Sequence, residues 1–289
     1  MQDAHASAVA SPEGVEEEPT EEVAPAPPIG GRFDALQWVG SGGASEVYEA
    51  RDRQTGARVA LKLFSAQREW SADRLSREVR ALQALQIPGV VRFIDDGPHA
   101  GGHYIAMSFV DGTPFPGDTA RPGWAGLEKP TRLLLETLAR VHAHGMVHRD
   151  VKPPNVVVNT DGVPTLLDFG LARTVSRGQT VTHAGTIMGT PDYLAPEQVV
   201  GRRCDARTDL YAVGVMLFAQ LTGRLPFARA RSPKAVLQRL DATAPAVRSL
   251  TPTVPPVVAE LVDRLLQPDR DRRPQSAEDA LSSSAFGRR

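Results

Sequence analysis

Five groups of polar residues occur in a constant order along the chain, and their types suit chemistry on phosphate groups. In order they are Lys62, Glu78, His148-Arg149-Asp150-Val151-Lys152-Pro153-Pro154-Asn155, Asp168-Phe169-Gly170 and Ala195-Pro196-Glu197. Asn155 and Asp168 carry the hard oxygen ligands that Mg²⁺ prefers. Lys62 lies among apolar neighbours, so its charge needs a partner. These types suit transfer of a phosphoryl group to an alcohol, which requires alignment, charge neutralisation and a group that orients the hydroxyl.

A glycine-rich stretch precedes all of these groups. It reads Val39-Gly40-Ser41-Gly42-Gly43-Ala44-Ser45-Glu46-Val47. Because glycine lets the backbone approach a ligand closely, the N–H groups of this stretch can reach phosphate oxygens. A dinucleotide-binding fold is disfavoured, since a strand rather than a helix is predicted after the glycines. Taken alone, the stretch also fits a hairpin that binds no ligand.

The elements that must position these residues begin with strands. Residues 36–63 predict three short strands, and residues 90–94 and 103–109 predict two more. Between these two groups of strands, Ser71 can cap a helix. Apolar residues recur in that helix at a spacing of three or four, namely Leu75, Val79, Leu82 and Leu85. The first half therefore predicts five strands and one helix.

The second half is mainly helical. Residues 155–167 alternate like a hairpin around Asp161-Gly162. The remaining apolar periodicity predicts helices at residues 127–144, 209–222, 257–267 and 277–285. Joining a strand-rich half to a helical half leaves a cleft in which a nucleotide can bind.

In this order the motifs resemble the signature set of protein kinases, over about residues 32–286. The chain is similar to the bacterial-type serine/threonine protein kinases. Lys152, in the catalytic loop of residues 148–155, resembles the serine/threonine kinases, since tyrosine kinases generally place Ala or Arg in this stretch. The resemblance implies an α+β, two-lobed fold. Its N-lobe, about residues 32–110, would have five strands and one helix, and its C-lobe, about residues 111–286, would be mainly helical. The implied activity is transfer of the ATP γ-phosphoryl group to serine or threonine of a protein substrate.

The same resemblance implies roles for the polar groups. Asp150 would orient the acceptor hydroxyl and take its proton, and Lys152 would steady the transferring phosphate. Asn155 and Asp168 would hold Mg²⁺, with Mn²⁺ as a substitute. Lys62 would contact the ATP phosphates with Glu78 as its partner. Glu69 is a rival partner for Lys62, but it precedes the predicted start of the helix.

ATP itself would be bound by the glycine-rich stretch and by a sequence connecting the lobes. Val47, Ala60 and Val157 would sandwich the adenine. Met107 falls at the gatekeeper position, and Ser108 begins the hinge that continues to Val110. This sequence departs from the family pattern at Ser45, where a third glycine is usual.

The segment from Asp168 to Glu197 resembles a full-length activation segment. Thr190 would bond to Asp150 and Lys152. Arg149 would bind a phosphate on a nearby threonine, so autophosphorylation is expected at Thr180, Thr182 or Thr186. Two further features are implied as structural, an ion pair between Glu197 and Arg273 and support of the catalytic loop by Asp209.

Charge and composition limit the other classes of function. Residues 1–31 hold seven acids and no lysine or arginine, and five prolines. This composition predicts a disordered tail. Because the whole chain has a formal charge of −1, the remainder carries +6, which is too weak and diffuse to indicate nucleic-acid binding. The single cysteine, Cys204, fits a reducing compartment. No apolar run approaches the ~20 residues of a membrane span, so we expect a cytoplasmic location.

Other interpretations stay open at this stage. A pseudokinase scaffold would keep the fold without turnover, although it usually loses one of the catalytic residues present here. A small-molecule phosphotransferase shares the two-lobed plan but seldom has an Ala-Pro-Glu motif. His142, His144 and His148 are close in sequence, but Gly145 interrupts a helical zinc site. The sequence indicates neither the substrate nor the oligomeric state.

Overall fold

Two regions of different character make up the fold, a strand-rich N-lobe and a helical C-lobe. The structure, a computed structural model, describes residues 27–42, 45–65, 72–117, 122–169, 191–229, 240 and 242–287. No helix within these ranges is both long and apolar enough to cross a bilayer.

The N-lobe is built on an antiparallel sheet of five strands in the order β1-β2-β3-β5-β4. The strands are β1 (Phe33–Gly42), β2 (Ser45–Asp52), β3 (Arg58–Phe64), β4 (Phe93–His99) and β5 (Gly102–Ser108). Alternation in β3 separates the two faces of the sheet, because Val59 and Leu61 are buried on the outer face while Ala60 and Lys62 lie on the other. The predicted number of strands, five, is confirmed.

The outer face of the sheet carries its own apolar cluster. Ile29, Phe33, Leu61 and Tyr104 are all buried in it. Ile29 also pairs with Phe33, since the Ile29 N–H donates to the Phe33 carbonyl at 2.8 Å. The packed region therefore includes Ile29, which precedes the predicted boundary at residue 32. Residues 1–26 of the predicted tail lie outside the described residues.

The helix of the N-lobe, α1, spans Ala72–Ala84. Its buried face carries Leu75, Val79 and Leu82, and Leu85 is buried just beyond its end. The predicted apolar periodicity is confirmed, while Ser71, the predicted cap, lies outside the described residues. Glu78 is on the buried side of α1, and this places its carboxylate beside the sheet.

The strand predicted at residues 90–94 was misplaced. Val90 and Val91 do not lie in the N-lobe sheet but pair with the C-lobe, where the Val91 N–H donates to the Leu166 carbonyl at 3.0 Å. The Leu166 N–H in turn donates to the Gly89 carbonyl at 2.7 Å. Gly89 has a φ of +89° and packs against Thr137 with no room for a Cβ. Residues 89–91 therefore attach the chain after α1 to the C-lobe.

The C-lobe is mainly helical, as predicted. Among the residues that the structure describes, its α-helices are α2 (Gly123–Ala143), α3 (Pro196–Val199), α4 (Ala206–Thr222), α5 (Val247–Leu250), α6 (Pro256–Leu265) and α7 (Ala277–Leu281). Most residues of α4 are buried, so it forms the core against which α2 and α6 pack. The Asp205 side chain caps α4 by accepting a hydrogen bond from the Arg207 N–H.

A small sheet places two polar residues at the cleft. It has the order β6-β7-β8, with β6 (Thr113–Pro114), β7 (Val156–Val158) and β8 (Pro164–Leu166). Strands β7 and β8 form the predicted hairpin. Asn155 directly precedes β7 and Asp168 follows β8, so antiparallel pairing brings both residues to the same end of the hairpin.

Candidate active site

Lys62 is the centre of a charged network between the lobes. Its Nζ donates to Glu78 Oε1 on α1 at 2.7 Å and to Asp168 Oδ1 at 2.9 Å. Lys62 is only 8 % exposed. Burial alone would lower the pKa of Lys62, but the charges of Asp168 and Glu78 outweigh burial and raise that pKa above its ordinary value. The ammonium therefore stays charged, and Glu78 is its partner on α1. Glu69, the rival partner, lies outside the described residues.

Asp168 is held in a specific backbone conformation after β8. Its φ is +40°, a region that residues other than glycine rarely adopt. The next residue, Phe169, is buried and packs on the ring of His148, with 4.7 Å between ring centroids. Burial would raise the pKa of Asp168, but Lys62 more than offsets this effect, so that pKa is lowered and the side chain is a carboxylate.

Asp150 lies within a second group of polar side chains. Lys152 Nζ donates to Asp150 Oδ2 at 2.8 Å. The amide Nδ2 of Asn155 donates both to the Asp150 carbonyl at 2.8 Å and to Asp150 Oδ2 at 3.0 Å. Because Asn155 uses its nitrogen toward Asp150, its amide oxygen is directed elsewhere. The arrangement orients one carboxylate with a cation and an amide.

Asp209 holds the backbone of the catalytic loop, as expected from the resemblance to kinases. Its two carboxylate oxygens accept hydrogen bonds from the backbone N–H groups of His148, at 2.8 Å, and Arg149, at 2.7 Å. His142 Nε2 also donates to Asp209 Oδ2 at 2.8 Å. Burial would raise the pKa of Asp209, but the hydrogen bond and charge of His142 prevail and lower it.

The three clustered histidines have separate partners. His142 contacts Asp209, while His148 Nε2 donates to the Leu167 carbonyl at 2.7 Å. His144 Nδ1 pairs with the Arg140 carbonyl at 2.8 Å. Their ring nitrogens are thus directed at different parts of the C-lobe, which favours roles in holding the catalytic loop over a shared metal.

The ion pair predicted between Glu197 and Arg273 is present and buried. Arg273 Nη1 donates to Glu197 Oε1 at 2.9 Å, and Nη2 donates to Oε2 at 3.0 Å. Thr208 Oγ1 donates to the same Oε1 at 2.8 Å. Arg273 also donates to three backbone carbonyls and stacks over the ring of Tyr211. This network anchors the end of the Ala195-Pro196-Glu197 motif to the core.

The residues expected to bind ATP lie on both sides of the cleft. In the sheet, Val47 pairs with Gly40 and Lys62, and Ala60 pairs with Met107. Residues in these paired positions share the cleft face of the sheet with Lys62. The remaining described members of this set are Val39, Ser41, Gly42, Ser45 and Glu46 at the hairpin, Ser108 at the end of β5, Val110 in the connection between the lobes, and Val157 on β7. Gly43 and Ala44 lie outside the described residues.

The predicted phosphorylation sites also lie outside the described residues. Thr180, Thr182 and Thr186 fall within residues 170–190, as does Thr190. Arg149, the residue expected to bind a phosphate on this segment, is described, and its φ is +67°. Its Nε atom is buried and has no hydrogen-bond partner among the residues that the structure describes.

Sequence reasoning missed two groups of contacts around the site. Arg58 on β3 bonds to Asp111 in the connection at 2.8 Å and lies over the Phe109 ring. Gln198 bonds to the catalytic loop, with 2.9 Å between its Nε2 and the Arg149 carbonyl. Neither contact has a signal in the sequence, because each joins residues that are distant in sequence and that only the tertiary fold brings together.

Comparison with known proteins agrees with this geometry. The family model described as the protein kinase domain matches residues 33–286. A DNA damage-responsive serine/threonine-protein kinase of Deinococcus radiodurans, RqkA, is 37% identical over 268 residues, which cover 90% of this chain and 40% of that protein. The serine/threonine-protein kinase pkn2 of Myxococcus xanthus is also 37% identical, with 89% of this chain and 32% of that protein covered.

A solved structure shows the same fold. The crystal structure of Rad53 residues 1–466 in complex with AMP-PNP superposes with a TM-score of 0.71 at 25% sequence identity, covering 88% of this chain and 65% of that one. The chain spans less than half the length of the first two curated relatives that it matches.

Proposed function

This chain belongs to the protein kinase family, and we propose that it transfers the γ-phosphoryl group of ATP to serine or threonine hydroxyls of protein substrates. One observation carries the proposal. Lys62 bonds to Glu78 and Asp168 across the cleft. Asp150 is oriented by Lys152 and Asn155, which follow it in the catalytic loop. These are the groups needed to hold a nucleotide and to orient an acceptor.

Nucleotide binding would use both lobes. The glycine-rich hairpin would place backbone N–H groups at the phosphates, and Lys62 would contribute a positive charge that its carboxylate partners maintain. Val47 and Ala60 on the sheet and Val157 on β7 would enclose the adenine, with Met107 at the back and Ser108 to Val110 contacting its edge. Because these contacts would come mainly from backbone groups, a serine side chain at position 108 is compatible with adenine binding.

The donor set fits a divalent cation. Asp168 presents a carboxylate that is 37 % exposed, and the Asn155 amide oxygen points away from Asp150 because the nitrogen is engaged there. We propose Mg²⁺ as the cation, since it prefers such oxygen ligands, with Mn²⁺ as a substitute. Bound there, the cation would neutralise charge that develops on the phosphates.

Asp150 would act on the acceptor hydroxyl. Its Oδ2 is held by Lys152 and Asn155, so the carboxylate has one orientation toward the cleft. An incoming hydroxyl would donate its hydrogen bond to Asp150 and pass its proton there as its oxygen bonds to the γ-phosphorus. The bond from that phosphorus to the bridging oxygen would break, and ADP would leave. Lys152 Nζ, already 2.8 Å from Asp150, would lie beside the phosphoryl group during transfer.

Incubation with Mg²⁺, γ-labelled ATP and a generic protein substrate tests the proposal. We expect label on serine and threonine, and loss of that label in Asp150→Asn. Label on a small alcohol but on no protein would favour a small-molecule phosphotransferase. ATP binding without any transfer would favour a pseudokinase scaffold and would overturn the proposed activity.

Autophosphorylation of the activation segment is a second part of the proposal. It is supported by Arg149, whose buried Nε lacks a hydrogen-bond partner among the described residues. A guanidinium can bind two phosphate oxygens at once. A phosphate on Thr182 or Thr186, or on Thr180, would supply them and order the segment.

Mass spectrometry of the chain after incubation with ATP tests this part. We expect phosphate at one or more of these threonines in the wild type and none in Asp150→Asn. Arg149→Lys should still be phosphorylated but should gain less activity from the phosphate, because lysine cannot bind it in a bidentate manner. An unphosphorylated segment in an otherwise active enzyme would contradict the switch.

A further inference from the structure

The side chain of Gln198 connects the Ala195-Pro196-Glu197 motif to the catalytic loop. Gln198 lies on α3 and is 6 % exposed. Its Oε1 accepts a hydrogen bond from the Ala195 N–H at 3.0 Å, and its Nε2 donates to the Arg149 carbonyl at 2.9 Å. One buried amide therefore bonds to backbone groups of two separate segments.

The carbonyl that Gln198 contacts belongs to the peptide bond between Arg149 and Asp150. The N–H of this same peptide bond, on Asp150, donates to His148 Nδ1 at 3.2 Å. Arg149 has a left-handed backbone with a φ of +67°, and its own N–H donates to Asp209. The peptide that carries Asp150 is thus held along both edges, and Gln198 supplies one of them.

We propose that Gln198 is a positioning residue that orients Asp150 through this peptide bond and couples it to the end of the activation segment. Without the amide, the Arg149 carbonyl would lose its partner in a partly buried site, and the peptide would be drawn toward other donors. Because Asp150 follows directly, a rotation of that peptide moves its carboxylate. The inference deepens the proposed function and rests on it.

Replacing Gln198 by methionine keeps the length of the side chain and removes both hydrogen bonds. We expect kcat to fall by about 10- to 100-fold, since a misplacement of ~1 Å can cost ~10²-fold. The KM for ATP should stay within about twofold, because Lys62, Glu78 and Asp168 keep their contacts. This separation of kcat from KM is not expected of general destabilisation.

A matched control is available in the same lobe. Gln267 also donates its amide to a backbone carbonyl, that of Asp263, at 3.1 Å, and it lies after α6 rather than beside Asp150. Gln267→Met removes a comparable bond, so its kcat should equal that of the wild type. Equal losses of kcat in Gln198→Met and Gln267→Met would overturn the proposal.

Gln198→Glu gives a second measurement on a single protein. An ionised carboxylate cannot donate to the Arg149 carbonyl, whereas a protonated one can. Burial raises the pKa of the introduced carboxyl, so it becomes protonated at a pH at which the enzyme is still assayed. We expect the activity of Gln198→Glu relative to wild type to be lowest at pH 8 and to recover ~3-fold or more on going to pH 5.5.

The outcomes separate this inference from the proposed function. If the wild type transfers phosphate and the relative activity of Gln198→Glu is constant with pH, Gln198 does not position Asp150. Should Gln198→Met melt too low to assay, the pH profile of Gln198→Glu decides alone. A wild type that transfers no phosphate at all overturns the proposed function, and the role of Gln198 falls with it.

Discussion

The Lys62 half of the site and the Asp150 half differ in what holds their charged groups. Lys62, Glu78 and Asp168 come from β3, α1 and the end of β8, and they meet through charge–charge contacts of 2.7 and 2.9 Å across the cleft. Asp150 is instead placed by backbone hydrogen bonds to buried side chains of the C-lobe core, above all Asp209 and Gln198.

The two halves therefore differ in how strongly they are linked to the core of the C-lobe. Movement of α1 or of the N-lobe would break the Lys62 contacts without exposing the core of the C-lobe. The bonds around Asp150 belong to that core, since Glu197, Arg273 and Asp209 are almost fully buried. We therefore expect changes in the first half to reduce activity at little cost in stability, and changes in the second half to reduce stability directly.

Asp168→Asn tests the first half and should have the largest effect. It removes the charge that faces Lys62 and a proposed cation ligand, so kcat should fall by at least ~10²-fold. The melting temperature should change little. Phosphate transfer and thermal unfolding should be measured on the same preparation. Retained activity with an unchanged melting curve would contradict the assignment of Asp168.

Arg273→Met tests the second half. It leaves Glu197 buried without its cation, which should lower the free energy of unfolding by about 3–5 kcal/mol. The control is Arg264→Met, because Arg264 and its partner Asp279 are exposed and 3.7 Å apart. That change should cost about 0.5 kcal/mol or less. Urea unfolding measures both, and similar losses in the two variants would break the comparison.

The contacts behind these two predictions could be expected from the sequence, whereas the contacts of Gln198 could not. The pair Lys62–Glu78 and the pair Glu197–Arg273 follow from motif order and from the resemblance to kinases, and both are present. Gln198 could not be identified, because its partner is a backbone carbonyl whose position depends on the left-handed Arg149. Hydrophobic periodicity describes helix faces well but carries no information about single carbonyls.

Strand β4 shows a different limit of the sequence. The apolar residues Val90 and Val91 predicted a strand, but their burial comes from pairing with β8 in the other lobe. The real strand contains Asp95-Asp96-Gly97-Pro98, which resembles a turn. An edge strand tolerates proline because one of its sides has no neighbouring strand. Ile29 likewise gives no sequence signal of its burial, since prolines and glycines surround it.

The carboxylate of Asp209 gives the comparison a pH dependence. Its pKa is lowered in the folded protein, so ionised Asp209 stabilises the fold above its unfolded pKa of about 4. That stability is lost as the pH falls through the folded pKa. The free energy of unfolding of the wild type should exceed that of Asp209→Asn by about 2–3 kcal/mol at pH 7. This difference should narrow below pH ~4. Urea titrations at several pH values measure it, and a constant gap would show that the charge of Asp209 is not involved.

Two deletions at the amino terminus should have the smallest effects. Removing residues 2–26 should leave phosphate transfer and melting temperature nearly unchanged, because the acidic, proline-rich composition there disfavours packing. Removing residues 2–30 also takes Ile29 out of the outer-face cluster and should cost about 2 kcal/mol. Thermal and urea unfolding of both forms compare them. A large loss on the shorter deletion would show that the tail belongs to the N-lobe.

The attachment of residues 89–91 to the C-lobe makes α1 a lever with its pivot at the carboxyl end. Ala72 lies twelve positions before Ala84, and Glu78 lies six positions before it. For a rigid swing about Ala84, the amino end of α1 therefore travels about twice as far as Glu78, since rise per residue is constant. A ligand acting near Ala72 would then need about half the force of one acting at Glu78 to displace the Glu78 carboxylate from Lys62.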